Sequence, residues 1–429
     1  MTDLIIVGGG AAGMICAVEA LRLGLKVLLI EKMDRIGKKV LATGNGRCNL
    51  ANRNFDMSHY HGSCLPAAEA VFEEFPPERI EDFWKGLGIL YREEERGRCY
   101  PRSLQASSVI NVLRRTLSCY EQEGSLKVLT DTVVTGIRMD KKQKLYEITC
   151  RTREGEQVKT MQFKSPQAAL LTGGKASPRL GSAGEGLEMA GKLKLPVTDL
   201  RPGICRLLSP DPMTKRLSGL RFDTRACLLS GKDRIAEARG ELLFTDDGIS
   251  GPCALDLSRQ AGELLKEGKP AAIAADLAEE YPEGELFALL MERCELLKAV
   301  TLEEMLEGFL HKRIIPEVIS QAGLDRKAAA GTMDKRKTGA LCRVMKSFCV
   351  EISALDSFKD AQVTVGGVHQ KALGQGLECA AYPGLYLGGE LLDLDGDCGG
   401  YNLMFAAACG LSIASGAAAH QLEAEGGRG

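Results

Sequence analysis

The feature that most constrains this chain is Gly8-Gly9-Gly10-Ala11-Ala12-Gly13, set between the apolar run Leu4-Ile5-Ile6-Val7 and a helical pattern that continues to Leu23. A short aliphatic, β-branched run bounded by a turn reads as a buried parallel strand. Gly24 supplies the stop at the end of the helix. Lys26-Val27-Leu28-Leu29-Ile30 follows as a second strand and ends at Glu31. Strand, glycine turn, helix and strand in about 30 residues make a complete βαβ unit.

The residue types suit one chemistry. Gly8 allows the tight turn out of the strand. Gly10 lets the backbone approach a pyrophosphate at the helix N-terminus, and Gly13 lets the helix pack closely on the sheet. Glu31 lies 18 residues beyond Gly13, where an acid accepts hydrogen bonds from a ribose diol. A lone G-x-G-x-x-G is weak evidence. This one follows a strand, opens a helix and has its acid in place. The acid favours an unphosphorylated ribose, hence FAD or NAD over NADP. The Gly- and Asn-rich stretch after the second strand, Gly37 to Asn49, looks like a segment that wraps the pyrophosphate and ribityl chain of FAD.

Composition narrows the class further. At 429 residues the chain is long enough for two or three domains. Lys plus Arg is 55 and Asp plus Glu is 57, a net charge of −2, which gives no support to bulk nucleic-acid or anionic-membrane binding. There are 15 cysteines without a C-x-x-C, and 5 histidines. This argues against zinc ribbons, iron–sulfur clusters and a disulfide scaffold, so no metal centre is expected. Unpatterned thiols fit a reducing, cytoplasmic compartment. The N-terminal residues enter the first strand without a basic segment, so no signal peptide is expected. The apolar run Leu403 to Ala419 is interrupted by Gly410, Ser412, Ser415 and Gly416 and reads as a buried helix, not a membrane span.

Along the chain, residues 126–137 and 145–150 carry strand-like alternation. Ala168 to Thr172 is a further buried strand, and Gly173-Gly174 after it fits a backbone passing close to a cofactor. Gly184-Glu185-Gly186 opens a helix to Leu193. From about Pro196 to 258 the pattern predicts short strands with many turns. Residues 284–350 predict amphipathic helices, with Leu286, Leu289, Leu290, Leu296 and Leu297 on the apolar face. Ala361 to Val368 returns to strand, and Gly399-Gly400-Tyr401-Asn402 opens a long C-terminal helix. Residues 196–356 therefore read as an inserted substrate or cap domain. Residues 1–195 and 357–429 read as a discontinuous cofactor domain. A second G-x-G-x-x-G in a βαβ context is absent, so a nicotinamide would bind only transiently, as NAD(P)H over the flavin.

Four segments carry a family resemblance: Ala42-Thr43-Gly44-Asn45-Gly46-Arg47-Cys48-Asn49-Leu50, Leu170 to Ala176, Gly240 to Pro252, and Gly388 to Leu403. Together they resemble the signature motifs of the BaiN/aminoacetone-oxidase (YhiN-like) family of FAD-dependent flavoproteins. Asp246 stands where a His is usual there, and Ala183 where a Thr is usual. The resemblance implies an α/β fold: a doubly wound, Rossmann-like FAD-binding domain of the two-dinucleotide-binding-domain type, with an inserted β-barrel-like plus helical cap. It implies non-covalent FAD and a small-molecule pocket between cap and flavin.

The cofactor contacts that the motifs and the resemblance imply are Gly8, Gly10, Ala11, Ala12, Gly13, Glu31, Lys32 and Lys38 from the first unit. The glycine loop adds Thr43, Gly44, Asn45, Arg47, Cys48 and Asn49. Val134 would meet the adenine through its backbone, and Thr172, Gly173 and Gly174 follow the later strand. Gly389, Glu390, Gly400, Tyr401, Asn402 and Leu403 complete the set. Tyr401, Cys398 and Arg47 are the candidate catalytic residues, with His369 and Cys48 as further proton-donor candidates. The resemblance offers two activities. One is NAD(P)H-dependent reduction of C=C bonds in 3-oxo-4-ene or 4,6-diene bile-acid intermediates. The other is oxidation of small amino-ketones such as aminoacetone, with release of hydrogen peroxide. tRNA-modifying flavoproteins have a similar FAD domain, and Lys335-Arg336-Lys337 is the best basic patch for a nucleic acid.

Overall fold

The computed structural model describes residues 2–154 and 157–426. The chain folds as two compact units, Met1–Pro202 with Gln362–Gly429, and Gly203–Ala361.

The first unit is organised on a five-stranded sheet. Its order is Leu385–Leu387, Gln167–Leu170, Leu4–Val7 (β1), Val27–Ile30 (β2) and Leu126–Leu129. Every neighbouring pair is parallel. β1 is central, and Leu4, Ile5 and Ile6 have no exposed surface. Both faces of such a sheet are covered, so its strands are continuous apolar runs and not alternations. Helix α1 (Ala11–Arg22) links β1 to β2. The strand order runs one way from β1 through β2 and the other way through Gln167–Leu170. The glycine turn after β1 thus stands where the order reverses, and adjacent connections there diverge to leave a crevice.

The C-terminal helix, Tyr401–Gly426, crosses α1 at close range. A Cβ on Gly410 would lie 2.7 Å from the Ala12 carbonyl oxygen and 3.0 Å from the Cys16 amide. By length and composition the stretch Tyr401–Glu423 could cross a membrane, with mean hydropathy 1.5. Met404, Ala407, Cys409 and Ile413 are completely buried in the unit, and the helix is part of its core. An antiparallel three-stranded sheet, Thr132–Asp140, Leu145–Glu154 and Gln157–Ser165, belongs to the same unit.

The second unit is built on an antiparallel hairpin, Arg221–Ser230 with Asp233–Thr245, widened to a seven-stranded sheet. The two edges of that sheet are Phe348–Ile352 and Ala354–Leu355, consecutive in the chain with Ser353 between them. One bent stretch therefore closes both edges, and the sheet forms a barrel. Helices Glu283–Leu296, Leu302–Leu306, Ile315–Gln321 and Lys335–Lys346 follow. Leu286 and Leu290, one turn apart, are fully buried.

Two expectations are corrected here. Within 196–258 the hairpin strands are 10 and 13 residues long, and Pro252–Lys266 is a helix. Pro252 occupies its first turn, where the missing N–H carries no penalty. Ala254, Leu257, Ala261 and Leu264 form its buried stripe at helical spacing. Residues 348–350, read as the end of the helical region, belong to a barrel strand, because Phe348–Ile352 pairs with Ala271–Ala275.

The glycines of the first turn separate into two kinds. A Cβ on Gly13 would lie 1.9 Å from the Gly8 carbonyl oxygen. Gly13→Ala should therefore destabilise the FAD-free protein by roughly 1–3 kcal/mol through overpacking. A thermal melt of the apoprotein equal to that of the parent would show that the close approach of α1 to β1 is not needed.

Candidate functional site

A cleft opens at the C-terminal ends of β1 and β2, lined by Gly8, Glu31, Lys32, Val134, Thr172 and Met189 among others. Gly8 has φ +107°, and a Cβ there would meet the Leu171 carbonyl oxygen at 2.3 Å. The Glu31 carboxylate accepts the Gly9 N–H at 2.8 Å and the Met33 N–H at 2.8 Å, which fixes it at the end of β2. Lys32 pairs with Glu185 on the opposite wall. Val134, on the strand Thr132–Asp140, is buried beside it.

Gly10 differs from its neighbours. Its φ is −77°, which any residue adopts, and nothing lies within 4 Å of where its Cβ would be. The fold itself does not require glycine at this position. No side chain caps the first turn of α1, where Ala11 and Ala12 begin the helix. Uncapped amides and the positive end of the helix dipole, beneath open space, make a cradle for an anion. These residues fit a dinucleotide such as FAD. Gly10 and the α1 amides would hold the pyrophosphate, Glu31 the ribose, and the Val134 strand the adenine.

A second group gathers around Glu390. Its carboxylate receives the Thr364 N–H at 3.0 Å and the Thr364 hydroxyl at 2.9 Å, and pairs with Lys39 at 2.7 Å. The Thr364 hydroxyl oxygen in turn accepts the Lys175 and Ala176 amides at 2.7 and 3.0 Å. A Cβ on Gly174 would strike Thr364 Oγ1 at 2.3 Å, so this glycine is required by the network. Gly389 (φ +64°) brings its backbone against Ala12. Lys38, expected at the cofactor, pairs with Asp34 at 2.5 Å, and its neighbour Lys39 reaches Glu390. Gly173 (φ +69°) turns the chain after Thr172.

The third group surrounds the start of the C-terminal helix. Asn52 Nδ2 donates to the Gly399 carbonyl at 2.9 Å, and a Cβ on Gly400 (φ +105°) would strike the Ala51 carbonyl at 2.4 Å. The Asn49 side-chain oxygen is buried there without a hydrogen-bond partner. Asn402 exchanges two hydrogen bonds with the Gly396 backbone, at 2.9 and 2.7 Å, and staples the loop before the helix; Leu403 follows it in the first turn. Thr43 donates to the Val40 carbonyl at 2.7 Å, and Gly44 and Asn45 both have φ +55°.

The structure places the candidate catalytic residues as follows. Arg47 pairs with Glu94 at 2.8 Å, and its guanidinium lies 4.4 Å from the centre of the Tyr100 ring. The Tyr401 hydroxyl donates to the Asn54 carbonyl at 3.0 Å; burial, and then the nearby Asp397 charge, push it up to about 12. Cys48 is fully buried, and desolvation pushes its thiol up to about 12. His369 Nδ1 accepts the Lys371 N–H at 3.0 Å as a turn cap. Cys398 is half-buried beside Gly399. No disulfide joins any of the cysteines among the described residues.

Lys39, Thr364 and a cluster of His59, His61 and Asp397 were not foreseen from the sequence. Asp397 Oδ2 meets His59 Nδ1 at 2.9 Å, and Oδ1 meets His61 Nε2 at 2.9 Å. Burial pushes the Asp397 carboxyl up, but hydrogen bonds from His61 and His59 outweigh this and hold it below its usual range. The available signal was Asp397 itself, an acid two residues before a glycine pair at a helix start.

The model for the HI0933-like protein Rossmann domain matches residues 2–416. The chain belongs to this family. It is 32% identical over 413 residues to the 3-dehydro-bile acid delta(4,6)-reductase of Clostridium scindens, covering 96% of this chain and 97% of that protein. It is 26% identical over 407 residues to the ribosomal RNA dihydrouridine synthase of Escherichia coli, covering 94% and 95%. Among solved structures, the Mycobacterium smegmatis Sdh1 complex in the apo form shares the fold, with a TM-score of 0.50 and 16% identity over 97% of this chain and 68% of that one. This HI0933-like protein is an FAD-dependent oxidoreductase.

The cleft geometry sets two expected outcomes. Gly10→Val should leave the apoprotein melt unchanged and abolish FAD binding; a yellow, fully loaded Gly10→Val protein would remove the cradle. Glu31→Ala should weaken FAD about ten- to hundredfold, the loss of a hydrogen bond to a charged group. Titration of the apoprotein by flavin fluorescence measures both, and unchanged affinity in Glu31→Ala would take that carboxylate out of the site.

Proposed function

We propose that this chain is a BaiN-type reductase that adds two hydrogens across a C=C bond conjugated to a ketone, in a steroid-like 3-oxo substrate, with NAD(P)H as the electron donor. The observation that carries the reading is the 32% identity running the length of both this chain and a protein named as a delta(4,6)-reductase. The second relative's name, a dihydrouridine synthase, describes the same kind of product. In uridine, too, the double bond that is saturated is conjugated to a carbonyl. The common reaction is hydride delivery to the carbon β to a carbonyl and protonation of the carbon α to it.

Bound FAD supplies the two-electron hydride chemistry. The chain's residues have the other tasks. The α1 amides and Gly10 would hold the negative charge of the pyrophosphate, and Glu31 and the Glu390–Lys39 pair would hold polar groups of the ligand. The Gly399-Gly400 turn lets backbone come close to it. Burial keeps the Cys48 thiol and the Tyr401 hydroxyl protonated, each pushed up to about 12.

A second reading, action on ribosomal RNA, is favoured by the 26% full-length identity to the dihydrouridine synthases. Against it stands the net charge of −2. Lys335, Arg336 and Lys337 are exposed at the start of their helix, with Asp334 capping it.

Anaerobic stopped-flow absorbance separates these readings. NADH or NADPH should bleach the yellow protein, and a 3-oxo-4-ene bile acid should restore the colour faster than air does. Bleaching by aminoacetone with peroxide release in air would make it an oxidase and overturn the proposal. Recolouring by ribosomal RNA, with a rate that falls steeply as salt is raised, would install the second reading.

A further inference from the structure

The reaction proposed above needs a proton for the α-carbon. The His59–Asp397–His61 cluster offers one imidazole nitrogen on each ring that faces away from the shared carboxylate. One carboxylate bridges two imidazoles, each at 2.9 Å. A carboxylate only accepts, so His59 holds its proton on Nδ1 and His61 holds its own on Nε2. The outward nitrogens, His59 Nε2 and His61 Nδ1, have no hydrogen-bond partner among the described residues. This is the arrangement in which an acid fixes the tautomer of a histidine and leaves the far nitrogen to exchange protons. No group of three or more His, Cys, Asp and Glu side chains is disposed to hold a metal ion among the described residues.

The cluster is fixed by several elements. His61 lies on a short strand paired with Asp395–Gly396. The His59 ring stacks on Tyr401 with centroids 4.4 Å apart and planes at 21°. Tyr60 between the two histidines donates its hydroxyl to the Tyr401 carbonyl at 3.0 Å. Tyr401 opens the C-terminal helix, so the cluster is built onto the segment that presents Gly399 and Gly400. The side chains of His59 and His61 are 34% and 25% exposed, which leaves a route for protons from water. The other charged and titratable groups around it are Asp56, which caps the turn carrying His59, Arg98, which acts on Tyr401, Tyr60 and Tyr401 themselves, and the buried Asp395.

We propose that His59 is the proton donor of the reductive reaction, with Asp397 and His61 as positioning residues. The step balances. FAD held by Gly10 and the α1 amides would supply the hydride, two electrons and one hydrogen, that the β-carbon receives. The His59 imidazolium gives its Nε2 proton to the α-carbon of the resulting enolate and becomes neutral. Solvent returns the proton, and His61 shares the carboxylate throughout. The nicotinamide restores the reduced cofactor. This role rests on the conjugate-reductase reading, whichever carbonyl compound is the substrate.

The test uses isosteres. His59→Asn keeps a donor to Asp397 but removes the titrating nitrogen, and His61→Gln does the same at His61. In anaerobic stopped flow, His59→Asn should be bleached by the nicotinamide within about twofold of the parent rate, while recolouring by the enone slows at least about a hundredfold, the usual contribution of a general acid. The fall of the recolouring rate at alkaline pH, present in the parent, should vanish in His59→Asn. Asp397→Asn, which takes the carboxylate acceptor from the His59 ring, should slow recolouring by the enone while bleaching by the nicotinamide stays within about twofold of the parent rate. Nitrogen NMR of the FAD-free parent should show His59 as the Nδ1–H tautomer. Recolouring of His59→Asn within a few-fold of the parent with the same pH profile, or an Nε2–H tautomer, overturns the assignment. If His59→Asn does not load FAD, recolouring of Asp397→Asn at the parent rate overturns it equally. Failure of the enone to recolour the parent protein is a separate result: it overturns the substrate reading and this role with it.

Discussion

The nucleotide-binding end of the first unit depends on the close approach of α1 to the end of β1. A methyl group on Gly13 would sit 1.9 Å from the Gly8 carbonyl oxygen, and one on Gly8 would sit 2.3 Å from the Leu171 carbonyl. Only bare backbone lets the helix begin so near the central strands. Its first amides therefore open at the point where the strand order reverses, uncapped by any side chain. The cleft, the place of Glu31 and the position from which the C-terminal helix crosses at Gly410 all follow from that approach. Gly10 alone in the turn is not demanded by the protein's own atoms, which is why it speaks for a ligand.

The later parts of the site are assembled on this frame by polar pairs between distant segments. Glu390 gathers Thr364 and Lys39, and Thr364 gathers the amides after Gly174. Each member has a partner, so the group is rigid without being exposed. The loop before the C-terminal helix is closed by Asn402 on the Gly396 backbone and by Asn52 on Gly399. Thiols and the Tyr401 hydroxyl in this region are driven by burial toward inert, protonated forms. The imidazole pair on Asp397 beside them is partly open to solvent.

The βαβ unit and its likeness to a doubly wound fold were readable because their signals are local. A strand buried on both faces, a turn that needs missing Cβ atoms and a helix start are each decided within a few residues. The barrel was harder to read. Its long hairpin has a register shift between Leu228 and Leu229, which blurs the alternation, and the helix Pro252–Lys266 begins with a Pro-Cys pair that resembles a turn.

Residue types at β1 and after it determined by themselves that this chain makes a nucleotide-binding crevice, since steric demands on glycine and the pairing of an acid with a ribose need no distant partner. Tertiary structure decided the rest. Lys39 and not Lys38 meets Glu390, because one residue turns a helix by about 100° and only packing sets its phase. His59 and Asp397 are 338 residues apart, and nothing in either neighbourhood names the other. A hydrogen bond between them exists only once the sheet, the short strand at His61 and the C-terminal helix have placed both within 2.9 Å, and local sequence carries no record of that distance.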